Sequence, residues 1–227
     1  LPFEKEFYSK YNFEVDYVGN PVLDSIRNFT PSNDFLERHE LKNKNIIAVL
    51  PGSRKGEVRK MLHYMLALLP AFPEHQFVVA GVSNLSKDFY ENFLDRTNVK
   101  LIFDETYDVL SNANVAMVTS GTATLETALF EVPQIVCYKT SGLSYILGRL
   151  LIKVKYISLP NLIMDDGLLT ELIQDDFNPQ MVKKELFELI KNPSKQLEGY
   201  KKLKSIMGDQ NASANTANLL LKYSKEL

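Results

Sequence analysis

Short apolar runs alternate with longer amphipathic segments along most of this chain. The short runs are almost continuously apolar, which is typical of strands that are buried on both faces of a parallel sheet. We predict strands at Ile46–Leu50, Gln76–Ala80, Leu101–Phe103, Val115–Val118, Gln134–Tyr138 and Lys155–Ser158.

The longer segments carry apolar residues three and four positions apart, which brings those residues onto one face of a helix. Helices are predicted at Lys55–Phe72, Ser86–Asp95, Gly121–Phe130 and Gly142–Leu151. Because strands and helices alternate, the pattern indicates right-handed βαβ units and an α/β fold, a Rossmann-like doubly wound parallel sheet. Such sheets bind ligands beyond the carboxyl ends of their strands, so we expect a site in the loops that follow strands.

The pattern becomes helical after Asp165. Helices are predicted at Leu168–Gln174, Pro179–Lys191, Gln196–Met207 and Ala212–Tyr223. We divide the chain into a connector (residues 1–31), a ligand-binding domain (32–178) and a helical tail (179–227). The tail has no predicted strands to cover, so we expect it to pack against something outside this chain.

Composition narrows the classes of protein. Hydrophobic residues make up 45% of the 227 residues and charged residues 24%, as in globular domains. The net charge of −2 argues against a nucleic-acid binder. The single cysteine, Cys137, lies in an apolar run and is predicted to be a buried strand residue. The chain begins without Met, so we expect it to be part of a longer protein, and its scattered histidines predict no metal site.

The first motif that carries chemistry is Pro51-Gly52-Ser53-Arg54, between a predicted strand and a predicted helix. Gly52 permits a tight turn, Ser53 offers a hydroxyl, and Arg54 adds a guanidinium suited to phosphate oxygens. The helix N-terminus presents unpaired N–H groups to an anion. The motif therefore predicts a diphosphate site, with an ordinary turn carrying a surface arginine as the alternative.

The second motif, Ser120-Gly121-Thr122, also follows a strand and opens a helix, so it too suits an anionic group. Glu126, further along that helix, is predicted to accept hydrogen bonds from ribose hydroxyls. The alternative makes Ser120 a helix cap and Glu126 a solvated residue. A third loop offers the amide of Asn161, for which a simple Pro-Asn turn is the alternative.

The apolar segment Leu143–Ile157 is edged by cations, including Arg149. This pattern is found in segments that lie on a membrane surface, and it is also found in a core helix followed by a strand. The sequence leaves both interpretations open, together with the question of whether the chain forms a homodimer.

Six ordered blocks resemble the lipid-A-disaccharide synthases over residues 1 to about 190. The blocks are Leu1-Pro2-Phe3-Glu4 with Phe7-Tyr8, Tyr17-Val18-Gly19-Asn20-Pro21, Leu50-Pro51-Gly52-Ser53-Arg54 with Glu57, Ser120-Gly121-Thr122-Ala123 with Leu125-Glu126, Ser158-Leu159-Pro160-Asn161-Leu162, and Glu171-Leu172 with Gln174. Asn20 stands where the family usually has histidine, and we assign Asn20 no role.

The resemblance implies the C-terminal domain of a GT-B glycosyltransferase, with a helical tail and an N-terminal domain outside this chain. UDP-2,3-diacylglucosamine would donate its sugar to the 6-hydroxyl of 2,3-diacylglucosamine 1-phosphate, giving a β-1,6 disaccharide and UDP without a metal or other cofactor. By matching motif, Arg54 with Gly52 and Ser53, and the loop Ser120-Gly121-Thr122, would face the diphosphate. Glu126 would hold the ribose and Asn161 would contact the donor.

The family also implies limits on what this chain does alone. Its candidate base lies in the N-terminal domain, so the chain is expected to bind UDP without turnover, at the cytoplasmic face of the bacterial inner membrane. Two rivals remain. One is another UDP-sugar enzyme of the GT-B class, such as a UDP-N-acetylglucosamine 2-epimerase or the peptidoglycan N-acetylglucosaminyltransferase. The other is a non-catalytic α/β ligand-binding module.

Overall fold

The computed structural model describes residues 1–94, 99–140, 155–209 and 211–225, and within these ranges six parallel strands form one sheet. The strands are β1 (Asn45–Leu50), β2 (His75–Gly81), β3 (Val99–Phe103), β4 (Val115–Thr119), β5 (Gln134–Tyr138) and β6 (Glu171–Ile173). Their spatial order is β3-β2-β1-β4-β5-β6, which is the order of a Rossmann-like doubly wound sheet. The predicted fold class is confirmed.

Helices flank the sheet and precede and follow it. In chain order they are α1 (Glu4–Ser9), α2 (Pro21–Arg27), α3 (Phe35–Arg38), α4 (Lys55–Leu66), α5 (Lys87–Leu94), α6 (Thr106–Asn112), α7 (Thr122–Leu129), α8 (Leu159–Met164), α9 (Pro179–Lys191), α10 (Ser194–Met207) and α11 (Ala212–Tyr223). Asn20 has a local role, because its side chain accepts a hydrogen bond from Val22 N (2.9 Å) at the start of α2.

Both faces of the sheet are covered, which explains why its strands are apolar throughout. Ile47 and Val49 of β1 pack on one side with residues of α4 and α9. Ile46 and Ala48 pack on the other side, where α3 and α6 contribute to the core. Successive strand residues point to opposite faces, so a strand between two layers of helices is apolar at every position.

Two of the predicted elements are wrong. Lys155–Ser158 forms no strand, since its last residue instead begins the turn into α8, whose second residue is Pro160. Glu171–Ile173 is a strand rather than part of a helix. The spacing of Leu168, Leu169 and Leu172 suits a helix. The edge of β5, however, supplies hydrogen-bonding partners for a strand: for example, Val136 N donates to Thr170 O (2.9 Å). The helix predicted at Gly142–Leu151 lies outside the described residues.

The expectation that the tail packs against something outside this chain is wrong for α9 and α10. Val182 and Leu186 of α9 are fully buried in the main core, against β4 and β5. Tyr200 and Leu203 of α10 are equally buried, against α7 and α8. The apolar face of α9 therefore covers the sheet, and that of α10 covers two flanking helices, all within the same chain.

The last helix, α11, packs on the connector rather than on the sheet. The carboxylate of Asp24 in α2 accepts hydrogen bonds from the backbone N–H groups of Ala212 (3.2 Å) and Ser213 (2.9 Å) at the start of α11. These bonds lower the pKa of Asp24. Leu220 and Leu221 on the same helix remain exposed. Residues 1–31 are thus tied to the chain's last helix and do not form a free linker.

Cys137 lies in β5 and is fully buried, as predicted, and burial raises the pKa of its thiol. None of the described helices is both long enough and apolar enough to cross a membrane.

Candidate functional site

The two predicted anion loops leave the sheet side by side. They follow β1 and β4, which are neighbours at the point where the strand order reverses, and Leu50 lies opposite Val118 in their register. Neighbouring strands are about 4.8 Å apart, and parallel strands end at the same edge of the sheet. In doubly wound folds the crevice at this switch point is where ligands bind.

The loop after β1 places its polar groups outward. Gly52 has a φ of +97°, a conformation that favours glycine, and the side chains of Ser53 and Arg54 are exposed. Within the described residues, the guanidinium of Arg54 has no hydrogen-bonding partner. It is therefore available to a ligand. The carboxylate of Glu57, in the first turn of α4, lies so close to Gly52 that a Cβ there would overlap it.

In the loop after β4, Gly121 is accessible to a ligand, whereas the Ser120 hydroxyl is bonded within the protein. Apart from Gly121 and its two neighbours in the chain, no described residue lies within 4 Å of the position that a Cβ on Gly121 would take. Thr122 is exposed at the start of α7, whose first turn contains no acidic residue. The hydroxyl of Ser120, in contrast, donates to Ile157 O (2.8 Å). The backbone at Gly121 and Thr122 is thus accessible, while Ser120 serves as an anchor.

Two further polar residues at this edge were not found from the sequence. The hydroxyl of Thr119, at the end of β4, is buried and has no hydrogen-bonding partner in the described part of the chain. Lys139 follows β5, and its ammonium lies 4.5 Å from the centre of the Tyr64 ring and donates to Gln174 O (3.1 Å). The signal available in the sequence was a polar residue directly after an apolar strand run.

Glu126 is held by a neighbouring helix rather than solvated. It lies one turn after Thr122 on α7, and its Oε1 accepts a hydrogen bond from the hydroxyl of Tyr107 (2.9 Å). The Tyr107 ring packs against Phe29 and Phe130. Burial and, after it, the bond to Glu126 raise the pKa of Tyr107, so the tyrosine keeps its proton and orients the carboxylate. The sequence did not single out Tyr107.

Asn161 is fully buried, and its amide groups are directed at the protein. Its Nδ2 donates to Leu169 O (2.9 Å) and to Glu171 Oε1 (2.9 Å), while its Oδ1 accepts from Leu169 N (2.8 Å). The structure therefore places Asn161 behind the site, where it holds the turn before β6. Its predicted contact with a donor stays a prediction.

Residues at the two ends of β6 form hydrogen bonds with the chain just before and just after residues 141–154. Glu171 accepts hydrogen bonds from the backbone of Ile157 and Ser158 (both 3.0 Å). Gln174 accepts from Thr140 N (2.8 Å) and donates to Thr140 O (3.3 Å). Both residues belong to a block that we matched without assigning either a role.

A family model described as lipid-A-disaccharide synthetase matches residues 1–222 of this chain. A lipid-A-disaccharide synthase of Syntrophus aciditrophicus is 37% identical over 203 residues, covering 86% of this chain and 53% of its own length. One of Sulfurihydrogenibium sp. is 33% identical over 243 residues, covering 97% of this chain and 63% of its own length. The chain thus spans between half and two thirds of these curated relatives.

Solved structures share the fold at low sequence identity. A co-structure of Staphylococcus aureus MnaA with UDP has a TM-score of 0.63 at 17% identity and covers 96% of this chain and 57% of its own. A UDP-GlcNAc 2-epimerase from Neisseria meningitidis bound to UDP-GlcNAc has a TM-score of 0.58 at 17% identity, with coverage of 96% and 58%. These similarities confirm the predicted GT-B type of Rossmann-like domain. They concern the fold and nothing further.

Proposed function

The chain belongs to the lipid-A-disaccharide synthetase family, and from that premise we propose that it forms the donor-binding part of a lipid-A-disaccharide synthase. In the proposed reaction, UDP-2,3-diacylglucosamine transfers its sugar to the 6-hydroxyl of 2,3-diacylglucosamine 1-phosphate. The products are the β-1,6 disaccharide and UDP.

One observation carries the assignment of the donor site. The loops of Arg54 and Thr122 follow adjacent strands at the switch point of the sheet, so a single diphosphate can reach both. The neighbours of similar fold that were solved with UDP or UDP-GlcNAc support a nucleoside diphosphate sugar as the ligand class.

The proposed chemistry of this half is electrostatic. As the sugar leaves, negative charge grows on the UDP, and the Arg54 guanidinium and the N-terminus of α7 stabilise it. Because no side chain stands at Gly121, the diphosphate approaches the backbone N–H groups closely. Glu126, oriented by Tyr107, accepts hydrogen bonds from the ribose. We propose that these groups suffice without a metal.

Turnover requires a base that removes the acceptor proton, and we propose that this base lies in the N-terminal half of the enzyme, as the family resemblance implies. The isolated 227 residues are therefore expected to bind UDP without making disaccharide. Association with the cytoplasmic face of the inner membrane also belongs to the proposal, through the acylated substrates and the segment around Arg149. That segment lies mostly outside the described residues.

Isothermal titration with UDP tests the donor site. Arg54→Ala should weaken UDP binding by about 1.5–3 kcal/mol, the range for a charge-assisted hydrogen bond. Arg59→Ala is the matched control, because Arg59 is an exposed arginine later on α4. Equal UDP affinity in both variants, or no UDP binding by the wild-type chain, would contradict the proposal.

The substrate class needs a separate comparison. UDP-glucosamine with and without its acyl chains, titrated with and without a chelator, distinguishes a lipid A enzyme from an epimerase-like one. The proposal expects tighter binding of the acylated donor and no effect of the chelator. An equal response to UDP and to unrelated anions would favour a non-catalytic binding module.

A further inference from the structure

Glu171, at the start of the edge strand β6, holds an unusually large number of donors. Its Oε1 accepts from Ser158 N (3.0 Å), from Ser158 Oγ (2.6 Å) and from Asn161 Nδ2 (2.9 Å). Its Oε2 accepts from Ile157 N (3.0 Å). Such an arrangement holds the backbone of residues 157 and 158 rigidly, because each bond restricts a different direction of movement.

Ile157 is in turn the residue to which the candidate diphosphate loop is attached. Its N–H is bound by Glu171, and its carbonyl oxygen accepts the hydroxyl of Ser120 (2.8 Å). A continuous chain of hydrogen bonds therefore runs from β6 through Ile157 to the loop after β4. Ser120 directly precedes Gly121, where the backbone is open to a ligand.

The loop after β4 needs the bond between Ser120 and Ile157, because Gly121 has no side chain that could pack against the rest of the protein. The neighbouring restraints are the bond from Ser120 N to Cys137 O (3.2 Å) and the bond from Thr124 Oγ1 to Gly121 O (2.7 Å). The first holds Ser120 to β5, and the second lies within the first turn of α7. The side chain of Ser120 thus provides the link between this loop and the segment that precedes α8.

We infer that Glu171 is a positioning residue for the donor diphosphate, acting through Ile157 and Ser120 on the start of α7. The inference rests on the proposed function. It adds a residue that touches no substrate and yet sets the orientation of the N–H groups that do.

Glu171→Gln separates the two oxygens of this carboxylate. The amide oxygen can keep the three bonds made by Oε1, but the amide nitrogen then faces the N–H of Ile157, donor against donor. The variant should release Ile157 selectively. We expect UDP affinity to fall about fivefold, the factor for one net hydrogen bond, while uridine, which lacks the diphosphate, binds as before.

A double-mutant cycle with Ser120→Ala distinguishes positioning from a general loss of structure. Once Ser120→Ala has cut the link, adding Glu171→Gln should cause little further loss of UDP affinity. Glu185→Gln is the control, because Glu185 is a half-buried carboxylate near β6 whose bond to Thr170 is long (3.4 Å). Additive losses, or equal losses for UDP and uridine, would overturn the inference.

Amide hydrogen exchange provides a readout that does not depend on UDP. The N–H groups of residues 121–123 should exchange faster in Glu171→Gln and in Ser120→Ala than in the wild type. Unchanged exchange at these residues would contradict the inference. Failure of the wild-type chain to bind UDP would instead contradict the proposed function. Should one variant not fold, the other tests the same link from its opposite end.

Discussion

The loops that follow β1 and β4 carry similar sequence signals, yet the structure leaves them in different states. At the start of α4, the carboxylate of Glu57 already lies over Gly52. At the start of α7 the first turn has no acidic residue, and the space beside Gly121 is empty of described atoms. The charge of Glu57 opposes an anion at the first helix start, and no acid in the first turn opposes one at the second. Under the proposed function, the diphosphate would bind the N–H groups of α7, and the β1 loop would act through Arg54.

Thr122→Glu would remove the difference, because it gives α7 an acid in its first turn like that of α4. Two unit charges about 4 Å apart repel by about 4 kcal/mol at an effective dielectric constant of about 20, so UDP affinity should fall by at least a hundredfold. Titration calorimetry measures the loss, with Thr122→Gln as the uncharged control. Similar affinities for the two variants would show that the diphosphate does not approach α7.

The two glycines should respond differently to alanine. Gly52→Ala meets both a φ of +97° and the Glu57 carboxylate, so it should lower the free energy of unfolding by about 1–3 kcal/mol. Gly121→Ala is also strained, because Gly121 has a φ of +157°, but the new methyl group overlaps no carboxylate. It should therefore cost less stability than Gly52→Ala, while it obstructs the ligand's approach to the backbone. Urea denaturation measures the first effect and UDP titration the second. The comparison fails if Gly121→Ala is the less stable variant.

Tyr107→Phe tests whether Glu126, on α7, contributes to binding of the ribose. Removing the hydroxyl that donates to Glu126 should weaken UDP binding by about 0.5–1.5 kcal/mol. The preference for UDP over 2′-deoxy-UDP should shrink together with it, since Glu126 loses its orientation. A loss of affinity that is equal for both nucleotides would indicate that Glu126 does not contact the ribose.

Glu57→Gln should give the smallest effect, and one of opposite sign. Removing the charge over Gly52 reduces repulsion near the site, so UDP should bind more tightly by about 0.3–1 kcal/mol, the range for a charge at a helix end. The gain should decrease as salt is added, because screening weakens the interaction in the wild type. Weaker UDP binding in this variant would mean that Glu57 assists the ligand.

Much of this site could be predicted because its loops are local in sequence. Pro51–Arg54 and Ser120–Thr122 each lie between a strand and a helix that the apolar pattern reveals. Two strands adjacent in a doubly wound sheet bring such loops together by topology alone. The hydrogen-bonding partners of individual side chains could not be predicted in the same way. Ser120 is bonded to Ile157 and Asn161 to Glu171, both outside their own loops, and no local pattern shows that.

Edge strand β6 shows the same limit for the fold. The strand has only three residues, and the leucines in and before it are also spaced as in a helix. So short a segment carries too little information to distinguish a strand from a helix. Pairing with β5 decides the outcome, since the exposed edge of that strand supplies hydrogen bonds that a helix at this position would leave unmade. The helical tail was likewise predicted element by element but placed wrongly, because spacing shows that a helix has an apolar face without showing what covers it.

By itself, then, the sequence determined the alternation of strands and helices, the doubly wound class and the two loops that frame the switch point. These depend on the periodicity of apolar residues and on short-range turn chemistry, both of which act within a few residues. Only the tertiary structure decided that α9 covers the sheet and that Glu171 is linked to Ser120. Such contacts join residues far apart in the chain, and their geometry exists only once the layers have packed.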